Sequence, residues 1–78
     1  MSLNLFENLT EEEEFIFKWQ YGLLGHFGKT LIEVIKRADE SNLERLRLGF
    51  PDEVQGYINY SRTSGWWKEV QRKAGKME

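Results

Sequence analysis

The 78-residue sequence has no cysteine, so neither a disulfide nor a thiolate metal site can brace the fold. Small domains often depend on such braces, and here apolar packing must replace them, within one chain or with a second copy. Histidine occurs once, at His26, so any metal site would be almost wholly carboxylate. Glu11 to Glu14 are consecutive, and neighbours one and two apart on a helix do not converge on one ion. No metal and no cofactor is therefore expected. The opening stretch MSLNLFENLTEEEE has neither a basic segment nor a long apolar run. It reads as neither a secretory signal nor a membrane span, and a cytoplasmic protein is expected.

What is present favours one small folded domain. A chain this short exposes too much surface to divide between two cores. Aromatic residues make up 14% of it, and each can bury on the order of 150–250 Å². Apolar residues recur at helical spacing between the charges, and no segment alternates as a strand would. The expected fold is all-α: four or five short helices packed as an orthogonal bundle over residues 10–75. Residues 1–9 and 76–78 are expected as tails.

Helix signals punctuate the chain. Thr10 with Glu13 forms a capping box ahead of the stripe Phe15, Ile16, Trp19, Leu23 and Leu24. Phe17 and Tyr21 widen that stripe, which predicts a first helix wedged among several others or partly covered by a dimer partner. Gly22, Gly25 and Gly28 predict a break near Gly25, with one continuous helix as the alternative. A second helix carries Leu31, Ile32, Val34, Ile35 and Ala38, with Lys36 and Arg37 at the end the dipole favours for cations. Asp39 or Ser41 caps a third, Ser41 with Glu44 as a second capping box, and Gly49 ends it. Pro51, Asp52 and Glu53 open a fourth helix, where Gly56 reads as a weak point. Ser64 caps a fifth, from about Gly65 to Ala74. The expected core is Phe15, Trp19, Leu31, Ile35, Leu46, Phe50, Val54, Ile58 and Trp66.

Three chemical readings fail on their own terms. "GLLGHFGKT" ends like a phosphate loop at Gly28-Lys29-Thr30, but Leu23 stands where the opening glycine belongs and a helix precedes it instead of a strand. A helix-turn-helix across Gly49-Phe50-Pro51 would put Asp52 and Glu53 in the first turn of the reading helix, where phosphate repels them. His26 has no nucleophile or orienting carboxylate tied to it by spacing. No catalytic residue is assigned and an enzyme is not expected.

The remaining candidate is the aromatic and basic C-terminal stretch. Residues 1–14 carry five Glu and no cation, while 61–78 carry five cations and two acids, within a net charge of −2. Trp66 and Trp67 are neighbours and point about 100° apart on a helix. Val70 and Ala74 extend the line from Trp66, which makes Trp66 the expected core ring and Trp67 the half-covered one. Tyr60, Arg62, Trp67, Lys68 and Arg72 are the expected partner-binding residues, because Trp, Tyr and Arg most often anchor protein interfaces. The expected function is a non-catalytic protein–protein interaction or accessory role, with a homodimer as one form. The alternative is nucleic-acid binding, with Trp67 stacking on a base and Arg62, Lys68 and Arg72 holding phosphates.

The runs "RADESNLERLRLGFPDEV" and "GWWKEVQRKAG" resemble small helical proteins of bacteria that have no known activity and often occur in prophages or other mobile elements. That resemblance implies an accessory protein of phage or mobile-element origin and assigns no functional residue.

Overall fold

Thr10 opens the first helix through local hydrogen bonds. Its hydroxyl accepts from the Glu13 amide at 3.2 Å, and the Glu13 carboxylate accepts from the Thr10 amide at 2.9 Å. In the computed structural model, which describes residues 6–75, this is the start of α1 (Glu11–Gln20). It is followed by α2 (His26–Arg37), α3 (Glu40–Gly49), α4 (Pro51–Arg62) and α5 (Trp66–Lys73), with no strand among the described residues. The fold is all-α, and among the described residues no helix is long and apolar enough to cross a membrane.

Helix ends follow the local chemistry, with three corrections. Helix α1 stops at Gln20, short of Leu23 and Leu24, because Gly22 turns left-handed at φ +69°. The Gly22 amide then donates to the Trp19 carbonyl and the Leu23 amide to that of Lys18, a Schellman end that leaves Leu23 55% exposed in the loop. Asp39, not Ser41, caps α3, since its carboxylate reaches the Asn42 amide at 2.8 Å. Ser64 does not cap α5. Gly65 occupies that position at φ +82°, and among the described residues no side chain caps the helix start. Pro51 fills the first position of α4, directly after Phe50, which ends α3 and begins α4.

Two apolar clusters lie on either side of α1. In the first, Leu31, Ile35, Leu43 and Val54 are buried, with Phe15, Ala38, Leu46, Phe50, Tyr57 and Ile58 packed against them. In the second, Phe17, Val70 and Ala74 are buried beneath Phe6, Leu9, Trp66 and Trp67. Ile16 and Phe17 are fully buried, and Phe15 partly so. Three consecutive residues can be covered only if neighbours flank the helix on several sides. Phe15, Ile16 and Phe17 are thus covered within the chain, whereas Tyr21 at the far end of the stripe stays 41% exposed. Phe6 and Leu9 fall in the expected tail yet pack onto the second cluster, Phe6 edge-on to Phe17 at 5.7 Å. Residues 1–5 and 76–78 of the expected tails lie outside the described residues.

Gly56 is the point of closest approach. It is buried on α4 against α1, and a Cβ built there would lie 2.6 Å from the Glu12 carbonyl oxygen. A position that looks weak in sequence is thus where the two backbones meet. Helix α5 runs back along α1. Trp67 sits beside Tyr21 near one end and Lys73 beside Glu13 near the other.

Candidate functional site

The expected binding residues sit on α4, α5 and the turn between them. Thr63 ends α4, its amide donating to the Asn59 carbonyl at 2.9 Å, and Gly65 supplies the left-handed residue that reverses the chain into α5. An open cleft of about 510 Å³ forms over this turn. Tyr60, Arg62, Trp67 and Lys68 line it together, so four of the five expected residues converge. Arg72 does not line it, because it lies one turn further along α5.

The aromatic wall is tied into the fold. Tyr60 meets Trp19 at 5.2 Å and Trp67 at 5.8 Å, both edge-on. Trp67 also lies 6.4 Å from Phe17 and 6.2 Å from Tyr21. Neither tryptophan of the pair is fully buried: Trp67 is half-covered as expected, whereas Trp66, expected as the core ring, is only partly buried. Val70 and Ala74 form the buried line of α5, and the two rings flank it, each half-buried.

Most of the cations are already matched by acids. The Arg62 guanidinium reaches Glu40 at 2.7 Å, tying the end of α4 to the start of α3. Arg72 holds both carboxylate oxygens of Glu69, through its Nε at 3.1 Å and through a second guanidinium nitrogen. That contact keeps the Glu69 carboxyl below, and the Arg72 guanidinium above, its ordinary range. Lys73 meets both oxygens of Glu13, at 2.7 and 2.9 Å. Among the described residues, only Lys68 of these four makes no ion pair.

Glu13 shows what capping boxes hide in a sequence. Burial alone would push its carboxyl up, but Lys73 and the Thr10 amide together outweigh that and hold it below the usual carboxylate value. The pair joins residues 60 positions apart. It fastens α5 to α1 and takes Lys73 out of the basic patch.

A second depression, of about 460 Å³, lies between α2 and α3, with Val34, Ala38 and Leu46 as its apolar part and Arg37, Asn42 and Arg45 around them. Sequence reading placed Val34 in the buried stripe of α2, yet it is 47% exposed. The signal was the width of that stripe, since Val34 and Ile35 cannot both face one neighbour. His26 sits exposed at the start of α2, where its carbonyl accepts from Thr30, so the glycine-lysine-threonine run lies within a helix. Among the described residues no three His, Asp or Glu side chains gather as a metal site. Compared with known proteins, the chain matches no family model, no curated protein and no solved structure.

Proposed function

We propose that the protein is a small non-catalytic binding domain that engages a protein partner through the α4–α5 cleft. The observation that carries this reading is the convergence of Tyr60, Arg62, Trp67 and Lys68 around one open cleft. A rigid aromatic wall edged by long cationic side chains is the composition that anchors protein interfaces. Because Trp67 and Tyr60 are held by neighbouring rings, they present contact area without a large ordering cost on binding. The resemblance to prophage-associated helical proteins adds an accessory role in the bacterial cytoplasm to the proposal, and a second copy of the chain is one candidate partner.

Nucleic-acid binding is the weaker reading. Lys68 beside Trp67 favours it, but Arg62, Arg72 and Lys73 each face a carboxylate that a phosphate would have to displace. The test is capture of partners from a bacterial lysate on immobilised protein, with and without nuclease, using the wild type and a double charge reversal, Arg62→Glu with Lys68→Glu. The expected result is a protein retained through nuclease treatment and lost with the double reversal. Loss of all bound material on nuclease treatment, with affinity falling steeply in salt, would replace this reading with nucleic-acid binding.

A further inference from the structure

The depression between α2 and α3 is a different surface from the α4–α5 cleft, and its chemistry is more one-sided. On α2, Leu31 and Ile35 turn inward and are buried, while Val34, about 100° round the helix from Ile35, stays half in solvent. On α3, Leu43 is buried, and Leu46, three residues on, contributes to both the core and the groove. The resulting space, about 460 Å³, falls in the range of about 300–1,000 Å³ typical of ligand pockets.

Charge sets what can fill it. Arg37 and Arg45 stand at the groove, and among the described residues neither makes an ion pair or a side-chain hydrogen bond. Three acids of these elements are occupied elsewhere: Glu33 on Lys36, Asp39 on the Asn42 amide and Glu40 on Arg62. Glu44 is the remaining one, and it neighbours Arg45 on α3 without lining the groove. In a chain of net charge −2, this leaves a local cationic frame around an apolar floor. Guanidinium groups present planar donor pairs that match carboxylates, and an apolar floor between two helices suits the apolar face of a third.

We propose that the α2–α3 groove docks an acidic amphipathic helix of a protein partner, its aliphatic side chains against Val34, Ala38 and Leu46 and its carboxylates on Arg37 and Arg45. A phosphate backbone would satisfy the arginines and leave the apolar floor uncovered. The proposal does not rest on the α4–α5 cleft, which could fail as a binding face without affecting it.

The experiment uses the full chain and a fluorescein-labelled amphipathic peptide with leucines at helical spacing separated by glutamates, beside a twin bearing lysines. Binding is followed by fluorescence polarisation and located by amide chemical shifts. The expected result is preference for the glutamate peptide, with shifts centred on Val34, Ala38 and Leu46. Arg37→Glu combined with Arg45→Glu should weaken that binding about tenfold or more and favour the lysine twin. Both arginines are exposed, so the double variant keeps its core, and circular dichroism checks that it folds. Val34→Asp should also weaken the glutamate peptide, whereas Arg62→Glu with Lys68→Glu should leave it unchanged. Equal binding of the two peptides, shifts centred on the α4–α5 cleft, or no binding at millimolar peptide would overturn the proposal. So would equal competition by a DNA duplex or by polyglutamate without leucine. Self-association of the protein without peptide, abolished by the arginine reversal, would assign the groove to a second copy instead.

Discussion

Replacing Gly56 by alanine sets two effects of opposite sign against each other. In an exposed helix the change should stabilise, since glycine costs about 1 kcal/mol relative to alanine. Here the new methyl would lie 2.6 Å from the Glu12 carbonyl oxygen, 3.0 Å from Ile16 Cγ1 and 3.3 Å from the Glu12 carbonyl carbon. Comfortable contacts between carbon atoms begin near 3.5 Å, and two of the three atoms met are backbone, which no rotamer change can move aside. Helices α1 and α4 must therefore separate by several tenths of an ångström, along the seam where Ile16 and Val54 are fully buried. Overpacking of this kind costs roughly 1–3 kcal/mol, and rigid backbone places it toward the upper end. The net expectation is a loss of about 1–2 kcal/mol. In a domain of this size each kcal/mol is about 4–8 °C, so the melting temperature should fall by roughly 5–15 °C. Circular dichroism at 222 nm on heating, together with urea titration, measures it. Gly49→Ala is the internal control: it lies at the end of α3 with nothing within 4 Å of the added carbon, and should be stabilising by about 0.4–1 kcal/mol. If both variants gain stability alike, the close approach of α1 and α4 is not real and the reasoning fails.

Two further outcomes follow from the same geometry. The folded Glu13 carboxyl titrates below its unfolded value, so its contribution should be complete above about pH 4.5 and disappear as pH falls through the lower folded value. Glu13→Gln should accordingly cost about 1–2 kcal/mol at pH 7 and much less at pH 3, read as urea midpoints at the two pH values; an equal loss at both would show that the Lys73 pairing contributes nothing. At Gly65, φ +82° favours glycine, so Gly65→Ala should cost about 1–2 kcal/mol and Gly65→Asn distinctly less, by thermal melts. Identical melting of the two would refute a left-handed requirement at the α4–α5 turn.

Helix placement was largely legible from sequence because its determinants are local. The Thr10–Glu13 box, Pro51 after Phe50 and the cations ending α2 and α5 all act within one turn, through atoms three or four residues apart. The ends left open or misread are those with competing signals, Gly22 against Gly25 at the close of α1 among them. Asp39 stands two residues ahead of Ser41, and Gly65 follows Ser64 with a backbone conformation that only the packed turn demands. Much of the candidate site was legible for a related reason. Tyr60, Arg62, Trp67 and Lys68 are separated by a single short turn, so closing that turn gathers them. Arg72 was grouped with them by composition, whereas its side chain follows the helix and meets Glu69 three residues back.

The sequence by itself determined an all-α chain, most of its helix boundaries and the segment that carries the aromatic and basic residues, because each depends on hydrogen bonds and dipoles confined to a few consecutive residues. Only the tertiary structure decided which apolar residues are core, that Gly56 is a contact instead of a flaw, that Lys73 belongs to Glu13 and that Val34 is left exposed above a groove. Those outcomes depend on which helix lies against which face. Burial and charge pairing are settled between residues as far as 60 positions apart, at distances that no local pattern encodes.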